Sequence, residues 1–152
     1  METTETHKPQ ATIYARLACR DKWVDTRLDA QIEAGKKSAA DHGLIIKNVI
    51  TEVESGSSLK QRFGLRSLLE QARSGQVTHV IISDFTRLLR TGKAADWRHI
   101  AEAFVAGGVT VIAGDAEFDF GKPETVACFL NGGLAAGSQT TPKQGRENQV
   151  LY

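Results

Sequence analysis

Ala11-Thr12-Ile13-Tyr14-Ala15-Arg16-Leu17, running on into Ala18-Cys19-Arg20, is a short apolar run that ends in charge. Ile13 and Tyr14 favour an extended backbone, so the run reads as a strand feeding a loop. A guanidinium sits at the strand's end. In open α/β sheets ligands bind outside the carboxyl ends of the strands. Two later basic stretches, 56–62 and 87–90, follow apolar runs in the same way.

Working outward, residues 18–27 are heavily charged, carry Trp23 and show no helical stripe. Leu28, Ile32, Gly35 and Ala39 then recur at helical spacing, and His42-Gly43 stops the helix. Gly35 inside it costs about 1 kcal/mol against alanine unless close packing requires it. A second strand is expected over 44–53, rich in β-branched residues, followed by the polar loop 54–60. Leu65, Leu68, Leu69 and Ala72 define a second amphipathic helix ending at Ser74-Gly75. Residues 77–83 read as a central parallel strand buried on both faces. A third helix is expected over 94–106 and a fourth strand over 109–113. Alternating strands and helices predict an α/β fold, a mostly parallel sheet with helices on both faces. The signal fades after Asp115; a helix starts over 123–130, and glycines follow at 132, 133 and 137. The expected organisation is a flexible leader over 1–10, one domain over 11–115, and a degenerate helix with a disordered tail over 116–152.

The 152 residues suit one domain with a real core. The net charge of +1 predicts no partner, but its distribution is uneven. Residues 11–93 carry fourteen Lys/Arg against nine Asp/Glu, and residues 94–152 carry four against seven. A basic front half suits an anionic partner. Cys19 and Cys128 form neither a disulfide framework nor a metal motif. No run is long and apolar enough for a membrane span, and the acidic N-terminus fits no signal peptide. The expectation is a soluble cytoplasmic protein with no membrane contact.

Arg16 closes the first strand, Arg62 follows the loop after the second, and Arg87 and Arg90 follow the third. A parallel sheet puts all three strand ends on one edge, so four guanidiniums can converge. Guanidinium forks match phosphate oxygens bidentately. Positioned cations stabilise a phosphoryl-transfer transition state. No Asp/Glu cluster with metal spacing accompanies them, so the reading is a phosphodiester site with no metal and no other cofactor.

Four motifs carry a family resemblance: Tyr14-x-Arg16-x-Ala18, Leu28-Asp29-x-Gln31, Ser55-Gly56-Ser57-Ser58 leading to Arg62-x-Gly64-Leu65, and Arg87-Leu88-x-Arg90. In this order, over about residues 11–115, they resemble the catalytic domain of the serine site-specific recombinases, the resolvase/invertase family. The resemblance implies that family's three-layer fold. It also implies a serine that attacks the scissile DNA phosphate to form a 5′-phosphoserine link, with double-stranded DNA as partner and dimers pairing into tetramers. Arg16, Arg62, Arg87 and Arg90 would then be phosphate ligands. Gln31 and Tyr14 would support the site, and Ser55 would anchor the loop.

The departures are as specific. The family pattern Tyr-x-Arg-x-Ser places its serine on Ala18, whose methyl group cannot attack phosphorus. Thr86 stands where the family usually has Asp, and Asp84 is not expected to replace it. The loop between Ala18 and Leu28 is longer than in small resolvases, and no basic helix-turn-helix follows, so weak DNA affinity is expected. The reading is a recombination domain inactive as written, or a non-catalytic DNA-binding or dimerisation module derived from one. A small-molecule phosphate-binding flavodoxin-like domain is disfavoured, because no Gly-rich loop follows the first strand. Cys19 lies one position off the serine and is read as a small residue at a strand end. Ser57 and Ser58 supply flexibility, His79 belongs to the core or an interface, and His42 and His99 sit on helix surfaces or ends. Trp23 stacks on a partner or covers the sheet edge. Cys128 is expected to be buried.

Overall fold

A computed structural model describes residues 9–54, 62–88 and 93–130. Five strands form one sheet: β1 (Gln10–Leu17), β2 (Ile45–Val53), β3 (His79–Ile82), β4 (Thr110–Ala113) and β5 (Ala116–Asp119). Their spatial order is β2-β1-β3-β4-β5. β1 to β4 run parallel, and β5 returns antiparallel beside β4. Four helices connect and flank them: α1 (Val24–Asp41), α2 (Phe63–Arg73), α3 (Ala94–Gly107) and α4 (Pro123–Leu130). This is the three-layer, mostly parallel α/β arrangement that the alternation of elements predicts.

The two sheet faces carry unequal cores. On one, Tyr14, Val80, Ile82 and Val111 meet Leu65, Leu68 and Leu69 of α2, Ile100 and Phe104 of α3, and Phe129 of α4. On the other, Ala11, Ile13, Ile81 and Ile112 pack with Ala39 of α1. β1 and β3 are therefore buried on both faces, as continuous apolar runs demand. β2 is an edge strand and shows it: alternate residues face solvent. Close packing explains Gly35, because a Cβ there would sit 3.0–3.2 Å from three atoms of the Ile13 side chain.

Several boundaries differ from the sequence expectation, for local reasons. α1 begins at Val24, four residues before the Leu28 stripe. Asp21 bends the chain, accepting hydrogen bonds from the Trp23 backbone N–H at 2.8 Å and the Arg27 guanidinium at 2.6 Å, and Val24 then enters the core. The expected domain end at Asp115 falls inside the sheet. Gly114, with φ +62°, starts a tight turn that sends the chain back as β5. Four residues with two apolar side chains are too few for a period to be legible. α4 is docked, with Phe129 against the rings of Phe85, Trp97 and Phe120 at 5.1–5.6 Å. Cys128, expected to be buried, is exposed, because α4 turns Phe129 inward. The expectations for 1–8 and 131–152 lie outside the described residues. Among the described residues no helix is long and apolar enough to cross a membrane.

Candidate functional site

Alternation along β1 sends Thr12, Tyr14 and Arg16 to the α2 side of the sheet. Arg16 is the last of these, only 1% exposed, and its guanidinium is fully engaged. Nε donates to the Arg87 carbonyl at 2.8 Å, Nη2 to the Thr86 carbonyl at 2.7 Å, and Nη1 to the Glu54 carbonyl at 2.7 Å. Its backbone is held as well. Gln31 accepts from the Arg16 N–H and donates to the Arg16 carbonyl, both at 3.1 Å. Gln31 thus brackets Arg16 from α1.

Arg62, 0% exposed, enters from the start of α2. Its Nε donates to Glu52 Oε1 at 3.1 Å and to the Tyr14 hydroxyl at 3.2 Å. Nη2 donates to the same hydroxyl at 2.5 Å and to the Arg87 carbonyl at 2.7 Å. The Tyr14 hydroxyl donates in turn to Glu52 Oε1 at 2.5 Å. Nη1 is buried with no hydrogen-bond partner among the described residues. Burial raises the Tyr14 phenol far above its ordinary range, opposed by the Arg62 charge and assisted by the hydrogen bond to Glu52.

Glu52 is the site residue that sequence reasoning missed. Its carboxylate balances the buried Arg62 and also seats α2. Oε2 accepts from the Gly64 N–H at 2.5 Å and Oε1 from the Leu65 N–H at 3.2 Å. These donors stand at the start of a helix that has no side-chain cap of its own. A signal existed. Glu52 is the one carboxylate within β2, on the same side as Ile50 and two residues before the loop that begins at Glu54.

Arg87 comes from a 3-10 turn, Phe85–Arg87, after β3. Asp84 caps this turn, accepting from the Thr86 N–H at 2.9 Å and from the Thr86 hydroxyl. The Arg87 side chain is partly exposed. Nε donates to Ser83 Oγ at 3.1 Å and lies 3.8 Å from Asp84 Oδ2, while Nη1 reaches the Arg16 carbonyl at 3.2 Å. Arg16 and Arg87 therefore hold each other, side chain to backbone in both directions.

Of the residues singled out from sequence, Tyr14, Arg16, Gln31, Arg62, Thr86 and Arg87 meet at the carboxyl ends of β1 and β3. Ser55 and Arg90 lie outside the described residues. Ala18 and Cys19 are exposed, just past the end of β1. Trp23 is exposed, with the Lys22 ammonium 5.3 Å from its ring centre. His79 is half-buried, and His42 bonds Glu117 at 2.8 Å on the far side of the sheet. A cleft of about 320 Å³ beside α1 shares Tyr14 and Gln31 with this cluster, but among the described residues no arginine lines it.

A family model described as "Resolvase, N terminal domain" matches residues 11–136. The chain is 31% identical to the C-terminal catalytic domain of ISC1926 TnpA, an IS607-like serine recombinase, with a TM-score of 0.59. That match covers 68% of this chain and 69% of the other. A resolvase family site-specific recombinase from Streptococcus pneumoniae superposes with a TM-score of 0.63 at 22% identity, covering 82% of this chain and 84% of that one. The N-terminal catalytic domain of TP901-1 integrase gives a TM-score of 0.60 at 20% identity, covering 84% and 92%. The last two likenesses concern the fold.

Proposed function

The chain belongs to the resolvase N-terminal domain family, the serine recombinases, and we propose that it keeps the frame that holds a DNA phosphate while lacking the group that attacks it. The observation that carries this reading is Ala18, exposed two residues beyond Arg16, in a motif otherwise of the form Tyr-x-Arg-x-Ser. In the family reaction the serine oxygen bonds to phosphorus, the 3′ oxygen leaves, and a 5′-phosphoserine remains. An alanine Cβ has no lone pair, so neither bond change can begin. Of the other motif residues, the described ones, Tyr14, Arg16, Gln31, Arg62, Thr86 and Arg87, lie together, and guanidiniums there suit a phosphodiester. The partner in this reading is double-stranded DNA, engaged by a dimer or tetramer of the chain. In this reading Arg16, Arg62, Arg87 and Arg90 are the phosphate ligands, and Gln31, Tyr14, Ser55 and Thr86 support the site.

A second reading, a non-catalytic DNA-binding or dimerisation module, is favoured by the burial of Arg16 and Arg62, whose hydrogen bonds go to the protein itself. One substitution separates the two. Ala18→Ser is incubated with supercoiled DNA carrying candidate crossover sites and run on a denaturing gel. A covalent protein–DNA adduct, absent with the unchanged chain, is the expected result. Absence of adduct from DNA that Ala18→Ser demonstrably binds favours the second reading. An adduct formed by the unchanged chain overturns both.

A further inference from the structure

The hydrogen bonds of Arg16 have the form that a phosphate would require. Nε and Nη2, the edge of the guanidinium that grips two oxygens at once, point at two successive carbonyls, those of Arg87 and Thr86, at 2.8 and 2.7 Å. Arg62 Nη2 shares the Arg87 carbonyl at 2.7 Å. Both guanidiniums are out of reach of solvent. A DNA phosphate cannot touch them while these bonds stand.

We infer that the Thr86–Arg87 turn is an internal stand-in for the DNA backbone, so that phosphate reaches Arg16 and Arg62 only when the turn withdraws. The coupling to DNA rests on the function proposed above; the sealing of the two arginines does not. The turn is a small unit. It spans three residues, is capped by Asp84, and is anchored by the buried Phe85 ring. Arg87 belongs to it, so its withdrawal also frees Arg87 Nη1 from the Arg16 carbonyl. One movement would expose two guanidiniums and re-aim a third. Arg62 Nη1, buried with no hydrogen-bond partner among the described residues, has donors left over that an incoming oxygen would satisfy. Closed chains bind no phosphate through these groups, so apparent DNA affinity is reduced by the open fraction.

Two measurements on the full chain test this. In the first, an arginine-specific dicarbonyl is added and modification sites are followed by mass spectrometry. Arg66, exposed on α2, should react readily, and Arg16 and Arg62 far more slowly. Asp84→Ala removes the cap and should speed modification of Arg16 by roughly fivefold, as expected for losing one capping hydrogen bond, while Arg66 is unaffected. Equal rates at Arg16 and Arg66 in the unchanged chain overturn the sealing. In the second, amide hydrogen exchange over 84–88 is read with and without duplex DNA at low salt, binding being followed by fluorescence anisotropy. Exchange there should accelerate on binding. Unchanged or slower exchange at saturation overturns the coupling. Failure of any duplex to bind overturns the proposed function and the coupling together, and leaves the sealing decided by the first measurement.

Discussion

Tyr14 and Glu52 show how much a single side chain determines at this site. Tyr14 is neutral in the fold because burial holds its phenol proton far above the usual range. A phenol near its ordinary value of about 10 in the unfolded chain ionises first as pH rises. The unfolded state then binds fewer protons than the native one, and stability falls. The stabilisation is fully present below about pH 10 and lost above it. The urea midpoint of the unchanged chain should therefore drop through this range, and Tyr14→Phe should flatten the drop; parallel curves for the two would refute the assignment. Glu52→Ala leaves Arg62 charged and buried with no carboxylate, and removes the acceptor of two N–H groups of α2. Breaking a buried pair costs about 3–5 kcal/mol. Denaturant unfolding should report a loss of that order, and a loss under about 1 kcal/mol, the range of an exposed pair, would count against the pairing.

At the level of elements, the α2 start and α4 carry the most specific consequences. A Cβ on Gly64 would lie 2.9 Å from Ile50 Cγ2 and 3.1 Å from the Glu52 carboxyl carbon. The glycine lets the edge strand present its carboxylate to the helix N-terminus, so α2 is seated by β2 rather than by its own sequence. α4 is held chiefly by the buried Phe129 ring, with Val126 packed beside it. Phe129→Ala should cost about 3–5 kcal/mol, as deletion of a buried phenylalanine does, and lower the thermal midpoint. An unchanged midpoint would mean that α4 contributes nothing to the packed body. Helices α2 and α3 were legible in the sequence because their apolar stripes are long relative to their period. β5 was not, since its place depends on the Gly114 turn and on pairing with β4. The start of α1 was hidden for a similar reason. Its first turn depends on Asp21 bonds within a charged stretch that has no stripe.

At the scale of the molecule, the topology gathers basic residues that are far apart in sequence onto one edge. Arg87 is the partly exposed member of the described cluster and the one best placed to meet a phosphate. Arg87→Ala should weaken duplex binding uniformly across DNA sequences and reduce the slope of log K against log salt by about 1. A slope identical to that of the unchanged chain would remove Arg87 from the phosphate contacts.

The order of strands and helices, the converging strand ends and the family motifs were all written in local patterns, because period and short spacing are properties of neighbouring residues. Glu52 beneath Arg62, the carbonyls facing Arg16 and the burial of both guanidiniums were not. Each depends on residues 10 to 71 positions apart meeting across the sheet. A sequence shows that an arginine is present at a strand end. Only packing decides whether its fork faces solvent or the protein's own backbone. That difference separates an open phosphate site from a closed one.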